Sequence, residues 1–490
     1  MSQKTLRGLS DIRNHFIRND RPVIFVSATC FNLLGMDEWV RRFRFINHLD
    51  CFDGEHANVL APLEVPHAPF TSIEDINNYL LQHKDVVDFI RSRTDGDKRP
   101  LALFLMFDEQ TEALCEELGL EIAFPSAKLR NEIDDKIMTT RIADRAGIDS
   151  VPNVLTPVKD YADLRRLSAH LGEKLVIQTA YGDSGHTTFF VANEAEFDEH
   201  ADEITAAPEV KVMKHIRCRG AAQEACVTRH GTIVGPLMTE LVGFSELTPY
   251  KGGWCGNEVL PDSFTTDVRD EARAMTVAFG EELKKMGYRG YFELDFLRDM
   301  DTDKLYLGEV NPRITGASAM TNLASFAHAD APLFLFHLLE YSGIDYELDV
   351  EEINERWANP DNIDSWGQLV IKHTTDDIEQ VIEGPRSGIW RLLPDGTAEF
   401  VRVQTHRRTV ESEMEAFFLR ITRPGDYFYK GADLGILITP NRLMNDDFEL
   451  EVRAKRWTKA IRDQFITRTL NTQEPIISAV IAEANHFKML

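Results

Sequence analysis

The stretch that most restricts how this chain can fold is GYFELDFLRDMDTDKLYLGEVNPRITGAS, residues 290–318. Two apolar, strand-like segments flank an acidic turn, and each carries a carboxylate that a folded core must accommodate. Side chains two apart on a strand share a face, so Glu309, Asn311 and Arg313 point the same way. If the segments pair with Asp295 near Glu309, two like charges ~4 Å apart repel by ~4 kcal/mol at an effective dielectric of ~20. A divalent cation removes that cost. Mg2+ takes few carboxylates and fills its other positions with water and phosphate oxygens, so two acids and Asn311 suit it. Arg313 is then placed to stabilise charge on a transferring phosphoryl group. The same spacing also suits a hairpin whose charges are merely solvated. A calcium loop over Asp299, Asp301 and Asp303 is excluded, because Lys304 stands where the turn needs Gly and Val310 where it needs Glu.

The 490 residues give length for two to four compact units, and 43% hydrophobic with 27% charged residues is a soluble globular composition. The most apolar runs, LALFLMF (101–107) and PLFLFHLL (332–339), fall far short of the ~20 residues a bilayer requires. The first residues lack the apolar core of a signal peptide, so a cytoplasmic location is expected. Six scattered cysteines include no CxxC pair and read as buried thiols. A net charge of −26 argues against nucleic acid or an anionic membrane as partner, since both are bound by clustered Lys and Arg. Small anionic ligands remain compatible with a local pocket.

The pattern along the chain divides into three. Strand-helix-strand order in residues 1–125 reads as an α/β unit. Residues 126–345 begin with a charged helix from Leu129 stopped at Gly147. Strands follow at VPNVLTP, KLVIQTA and TTFFVA, the latter two either side of the turn YGDSGH, then a helix EAEFDEHADEI and a strand VKVMKHI. A hairpin turning at His230 and Gly231 and a long amphipathic helix near 266–286 lead into the stretch above. Residues 346–490 read as a mixed α+β tail.

The joint order of DDK at 134–136, the Gly-rich turn, VKVMKHI, ELDF and GEVNPR resembles the ATP-grasp superfamily of ligases over residues 126–345. The resemblance implies α/β and α+β architecture: an N-terminal pre-ATP-grasp domain, an ATP-grasp domain with a lid at about 152–215, and a C-terminal α+β domain. It implies ATP as cofactor with two Mg2+ ions, for which Mn2+ can substitute. By the same resemblance Asp295, Glu309 and Asn311 are the metal ligands and Arg313 the catalytic cation. Lys136 and Gln178 face nucleotide phosphate, and Gly182, Ser184 and Gly185 form the loop that closes over it. Lys214, His215 and Ile216 form the adenine hinge, with Glu224 a candidate ribose contact. The sequence departs from the pattern at Gln178, where a second phosphate-contacting Lys is common; Gln donates a hydrogen bond but carries no charge. Arg217 or Arg219 is the expected substitute.

GDSGH at 182–186 also resembles the nucleophile motif of trypsin-like proteases, but the upstream His and Asp context, the disulfides and the secretion signal are missing. Within the superfamily, SGIWRLLPDGTAEFVR resembles the C-terminal subdomain of biotin carboxylases. In those enzymes a Glu four residues beyond the Arg deprotonates bicarbonate; here that position is Ala317. Small residues there, with the loop KGGWCGNEVLP, better suit an ATP-dependent carboxylate-amine ligase working through an acyl phosphate. Lys251, Trp254, Asn257 and Glu258 are its substrate-side candidates, an amino acid or peptide its expected carboxylate, and a homodimer its default assembly. The alternatives are a biotin-carboxylase-type enzyme that forms carboxyphosphate, and a non-catalytic nucleotide-binding protein.

Overall fold

The computed structural model describes residues 5–64, 70–93, 98–180, 188–322 and 331–470. Near the N-terminus the strands Val59–Leu60, Phe43–Asn47, Val23–Ser27, Leu101–Phe104 and Glu121–Ile122 form a parallel sheet in that spatial order. Every residue of its central strand Val23–Ser27 is buried, which is why VIFVS is a continuous apolar run rather than an alternating one. The helix Glu109–Glu117 that precedes the edge strand starts at a capping box between Asp108 and Thr111.

The centre of the molecule is a ten-stranded antiparallel sheet. Its order is Leu305–Asn311, Gly290–Asp299, Cys218–Thr228, Gly231–Val242, Trp254–Val259, Trp366–Lys372, Asp433–Pro440, Glu415–Arg420, Gly388–Leu392 and Ala398–Arg402. Asp295 pairs with Glu309 and Glu293 with Asn311. The sheet passes without interruption from Val259 to Trp366, so strands from both sides of residue 345 share one ladder. Gly256 makes that junction possible: it has φ 142°, and a Cβ there would sit 1.9 Å from the Gln368 carbonyl oxygen. Helix Thr266–Lys285 covers one face, with Phe279 and Leu283 fully buried against Phe292 and Leu294.

A second, four-stranded antiparallel sheet, Asn153–Thr156, Val210–Lys214, Leu175–Gln178 and Thr188–Val191, packs around its own core of Leu164, Ile177, Phe189 and Val212. It is joined to the large sheet through the helical segment read as one helix from Leu129. That segment is two helices, Ala127–Asp134 and Lys136–Ala146. The break is at Asp135, whose backbone turns extended (φ −65°, ψ 121°) and whose carboxylate accepts the N–H groups of Ile137 and Met138. EAEFDEHADEI likewise splits, into Glu194–Asp198 and Ala201–Ala206.

One buried imidazole ties three elements together. His337, on the fully buried helix Leu333–Tyr341, donates from Nε2 to the Ala123 carbonyl at 2.6 Å and accepts the Tyr291 N–H at Nδ1 at 3.0 Å. The acceptor oxygen requires the proton on Nε2, and burial pushes the imidazole down to about 3. An unfolded His titrates near 6.5, so below that pH the unfolded chain binds a proton that the folded chain refuses. Stability from this site is complete above pH ~6.5 and is lost as pH falls toward ~3. His337→Asn keeps a donor and an acceptor, so its stability loss relative to the parent, about 1–3 kcal/mol at pH 7.5 by urea unfolding, should shrink steadily between pH 6 and 4.

Candidate functional site

The carboxylate stretch builds the floor of a cleft of about 390 Å3 between the ten-stranded and four-stranded sheets. Asp295 and Glu309 are register partners, and the ladder slips immediately beyond them, where Phe296 pairs with Leu307. Gly308 is the extra residue of this bulge; a Cβ on it would lie 3.0 Å from the Asp295 carbonyl oxygen. A bulge twists the strand and re-aims its side chains, here turning Glu309 toward the cleft. Asn311 donates its amide N–H groups to Asp295 Oδ2 at 3.0 Å and to Glu293 Oε2 at 3.2 Å. Arg313 lies beyond the strand end and donates Nη2 to Asn311 Oδ1 at 2.8 Å. Lys136, from the first turn of its helix, pairs with Glu309 at 2.9 Å.

The carboxylates are concentrated more densely than the sequence suggested. Glu293 and Glu240 also line the cleft. Burial, then Glu293, Glu240 and Glu309, holds the Asp295 carboxyl well above its usual range. Glu293 is raised well above its ordinary value by burial and by Glu224 and Glu240. Burial and Glu309 push Glu240 up to about 7. Glu240 lies over Gly220, where a Cβ would come within 2.2 Å of its Oε2.

Among the described residues no three His, Cys, Asp or Glu side chains converge as a ready metal cage. What converges is two carboxylates and an amide, oxygen donors that fit a hard dication keeping water or phosphate in its remaining positions. Rotating the Asn311 amide exchanges its nitrogen for its oxygen toward Asp295. Arg313 Nε is buried and has no hydrogen-bond partner among the described residues, which leaves a donor at the cleft wall.

Gln178 lines the cleft and donates to Thr188 Oγ1 at 3.2 Å. Gly182, Ser184 and Gly185 lie outside the described residues. Lys214 and His215 are exposed, one and two residues past the cleft residue Met213. Their backbone N–H groups bond to the Pro152 and Lys174 carbonyls. Ile216 is half-buried and its N–H has no backbone partner among the described residues. Arg217 pairs with Asp301 at 2.6 Å, and Arg219 packs on the ring of Phe448, so neither stands beside Gln178.

Glu224 is not on the cleft wall. It is fully buried and accepts hydrogen bonds from Ser318 Oγ at 2.6 Å, Thr321 Oγ1 at 2.7 Å and Thr315 Oγ1 at 3.3 Å. Its place is behind the segment that follows Arg313, which it clamps. Of the four substrate-side candidates, Trp254 lines the cleft and lies against Gly316, where a Cβ would meet its ring at 2.3 Å. Lys251 is exposed and outside the cleft wall. Asn257 is buried and accepts from Trp254 Nε1 and Gln368 Nε2, both at 3.1 Å. Glu258 faces the opposite way, accepting the backbone N–H groups of Leu443 and Met444 and the Thr239 hydroxyl. These contacts make Glu258 a strut between the large sheet and the 443–444 segment, because three donors and burial leave its carboxylate nothing to offer a substrate.

No family model matches the chain. Over 93 residues, 19% of its length, it is 28% identical to the small subunit of 2-oxoglutarate carboxylase from Hydrogenobacter thermophilus, and the match spans 20% of that protein. The biotin carboxylase domain dimer of the Hydrogenobacter thermophilus enzyme, solved with MgADP, ADP and bicarbonate, superposes with TM-score 0.57 at 14% identity, covering 95% of this chain and 96% of that one. An N5-carboxyaminoimidazole ribonucleotide synthetase solved with ADP gives TM-score 0.53 at 13% identity, covering 95% and 100%.

The raised carboxyls carry a stability cost that grows with pH. A carboxyl whose folded pKa lies above its unfolded value holds a proton the unfolded chain releases, so stability falls as pH rises through that window. Asp295→Asn should therefore melt at or above the parent in metal-free buffer, with the gap widening from pH 6 to 8 in differential scanning calorimetry. A variant that melts well below the parent at pH 8 would mean the Asp295 carboxylate is held by attractive partners. With ten antiparallel strands, a smaller four-stranded sheet across an oxygen-rich cleft and an N-terminal parallel sheet, the chain has the ATP-grasp fold.

Proposed function

We propose that this protein is an ATP- and Mg2+-dependent ligase that activates a carboxylate as an acyl phosphate and joins it to an amine. The observation that carries the reading is the meeting of Asp295, Glu309 and Asn311 with Lys136 and Arg313 in one cleft, drawn from three separate segments. A surface hairpin would leave such acids to solvent; here they are turned inward at a stability cost that a bound cation relieves.

Asp295, Glu309 and Asn311 would hold Mg2+, which supplies charge neutralisation at the nucleotide phosphates. Lys136, 8% exposed and anchored by Glu309, is placed to meet a phosphate oxygen. Arg313, with its open Nε, is placed to hold the carboxylate substrate and the charge that grows on the transferring group. The γ-phosphoryl passes to a carboxylate oxygen and ADP leaves. The amine then attacks the acyl carbon, phosphate departs and the amine loses its proton, which replaces a poor leaving group with a good one. Trp254 on Gly316 forms the apolar wall beside the acyl group. The four-stranded sheet, whose Gln178 and Met213 roof the cleft, shields the acyl phosphate from water.

The carboxylase names among the similar proteins favour a second reading, in which bicarbonate is the carboxylate. Ala317, buried four residues after Arg313, argues against the biotin-dependent version, because it provides no base.

The deciding experiment incubates the protein with ATP, Mg2+ and pooled amino acids, with and without bicarbonate, and resolves ADP from AMP. ADP formed only with particular amino acids, alongside a new amide mass, is expected. ADP that depends on bicarbonate and rises with free biotin would replace this reading with the carboxylase, and AMP would remove the acyl phosphate. Glu309→Gln should lower ADP formation at least about 100-fold while the protein stays folded.

A further inference from the structure

Gln178 leaves the strand end above the cleft without charge, and neither Arg217 nor Arg219 reaches it. In the four-stranded sheet the direct register partner of Gln178 is Lys211. Antiparallel partners project from the same face, and Met213, two residues on, shares it. Gln178 and Met213 both line the cleft, so Lys211 belongs to the same face. The opposite face holds Ile177 and Val212 in the core of the lid sheet.

Lys211 is 1% exposed. Its ammonium makes no hydrogen bond or close ion pair with a described residue, and the charges it senses are Glu309, Lys136 and Asp144. Glu309 and Lys136 are themselves paired at 2.9 Å on the cleft floor. A buried ammonium is disfavoured unless it is bonded, and among the described residues the nearest acid, Glu309, is already engaged by a second lysine. With Glu309 already bonded to Lys136 and Asp144 making no bond to it, the Lys211 ammonium would gain a direct partner from an entering anion.

We propose that Lys211 is the second phosphate-binding cation of the nucleotide site, acting from the neighbouring strand where Gln178 is neutral. The inference rests on the nucleotide reading above and adds a residue to it: the phosphate chain passes between Lys136 and the 210–214 strand. Lysine is suited to this because its flexible stem lets a charge rooted one strand away reach the place a strand-end cation would occupy.

The test is calorimetric binding of MgADP and of adenosine, which has no phosphate, to the full chain. Lys211→Met should weaken MgADP about 10- to 100-fold, as expected for a lost charge-assisted hydrogen bond, and leave adenosine within about 2-fold. Moving the cation back, in the double variant Lys211→Met with Gln178→Lys, should restore MgADP affinity to within about 3-fold. Unchanged MgADP binding by Lys211→Met would overturn the proposal. So would a parallel loss of adenosine affinity, or a loss that the moved cation does not repair, because both mean that Lys211 serves packing. Failure of the parent protein to bind MgADP would instead remove the nucleotide reading itself.

Discussion

The structure turns on a single electrostatic conflict: Asp295 and Glu309 are placed opposite each other on neighbouring strands, with Glu293 and Glu240 close by. Like carboxylates in a partly dry cleft raise one another's pKa and weaken the fold. Every neighbouring device manages that conflict. Asn311 bridges two of the acids, Lys136 neutralises a third, and Arg313 steadies the amide that does the bridging. Glycines at 308 and 220 admit the bulge and the Glu240 carboxylate: a Cβ at 308 would press on the Asp295 carbonyl, and one at 220 would displace the Glu240 carboxylate.

The remainder of the fold presents these groups to one space. Helix Lys136–Ala146 begins at a break that aims Lys136 at Glu309, and the Lys136 N–H bonds at 2.9 Å to the carbonyl of Ala180, two residues past the strand Leu175–Gln178. Behind the floor, Glu224 gathers three hydroxyls from residues 315–321 and fixes the segment that carries on from Arg313. The C-terminal strands extend the same sheet. Arg386 pairs with Glu55 at 2.6 Å, Arg420 with Asp53, and Ser387 donates to the Cys51 carbonyl at 2.5 Å, closing the C-terminal strands onto the N-terminal unit.

Much of this was legible in the chain because its causes are local. Two-residue alternation put Glu309 and Asn311 on one face, the register adds Asp295 opposite Glu309, and the same alternation marks Glu293, two residues before Asp295, as a further acid of that face. Gly147 stops its helix in the left-handed region (φ 69°), as its position suggested. The DDK segment was read as one helix because its periodicity continues across Asp135, whereas a local cap decides the break. Asn257 and Glu258 looked like loop residues beside a Trp. The ladder makes Trp254–Val259 a strand and turns Glu258 toward Leu443 and Met444, almost two hundred residues away.

What the sequence determined by itself is the chemistry of the floor: which segments carry the acids, which amide shares the face of Glu309, and that the set suits a cation. These follow from side-chain periodicity and charge, which operate within ten or twenty residues. Arg313, expected on that face by alternation, lies past the strand end and reaches the floor through Asn311. Tertiary structure decided which distant groups join them. Glu240 arrives through a hairpin, Lys136 through a helix break, and Lys211 through a strand pairing with Gln178 thirty-three positions away. No pattern along the chain encodes such meetings, because register between separate strands is set by the packing of whole sheets.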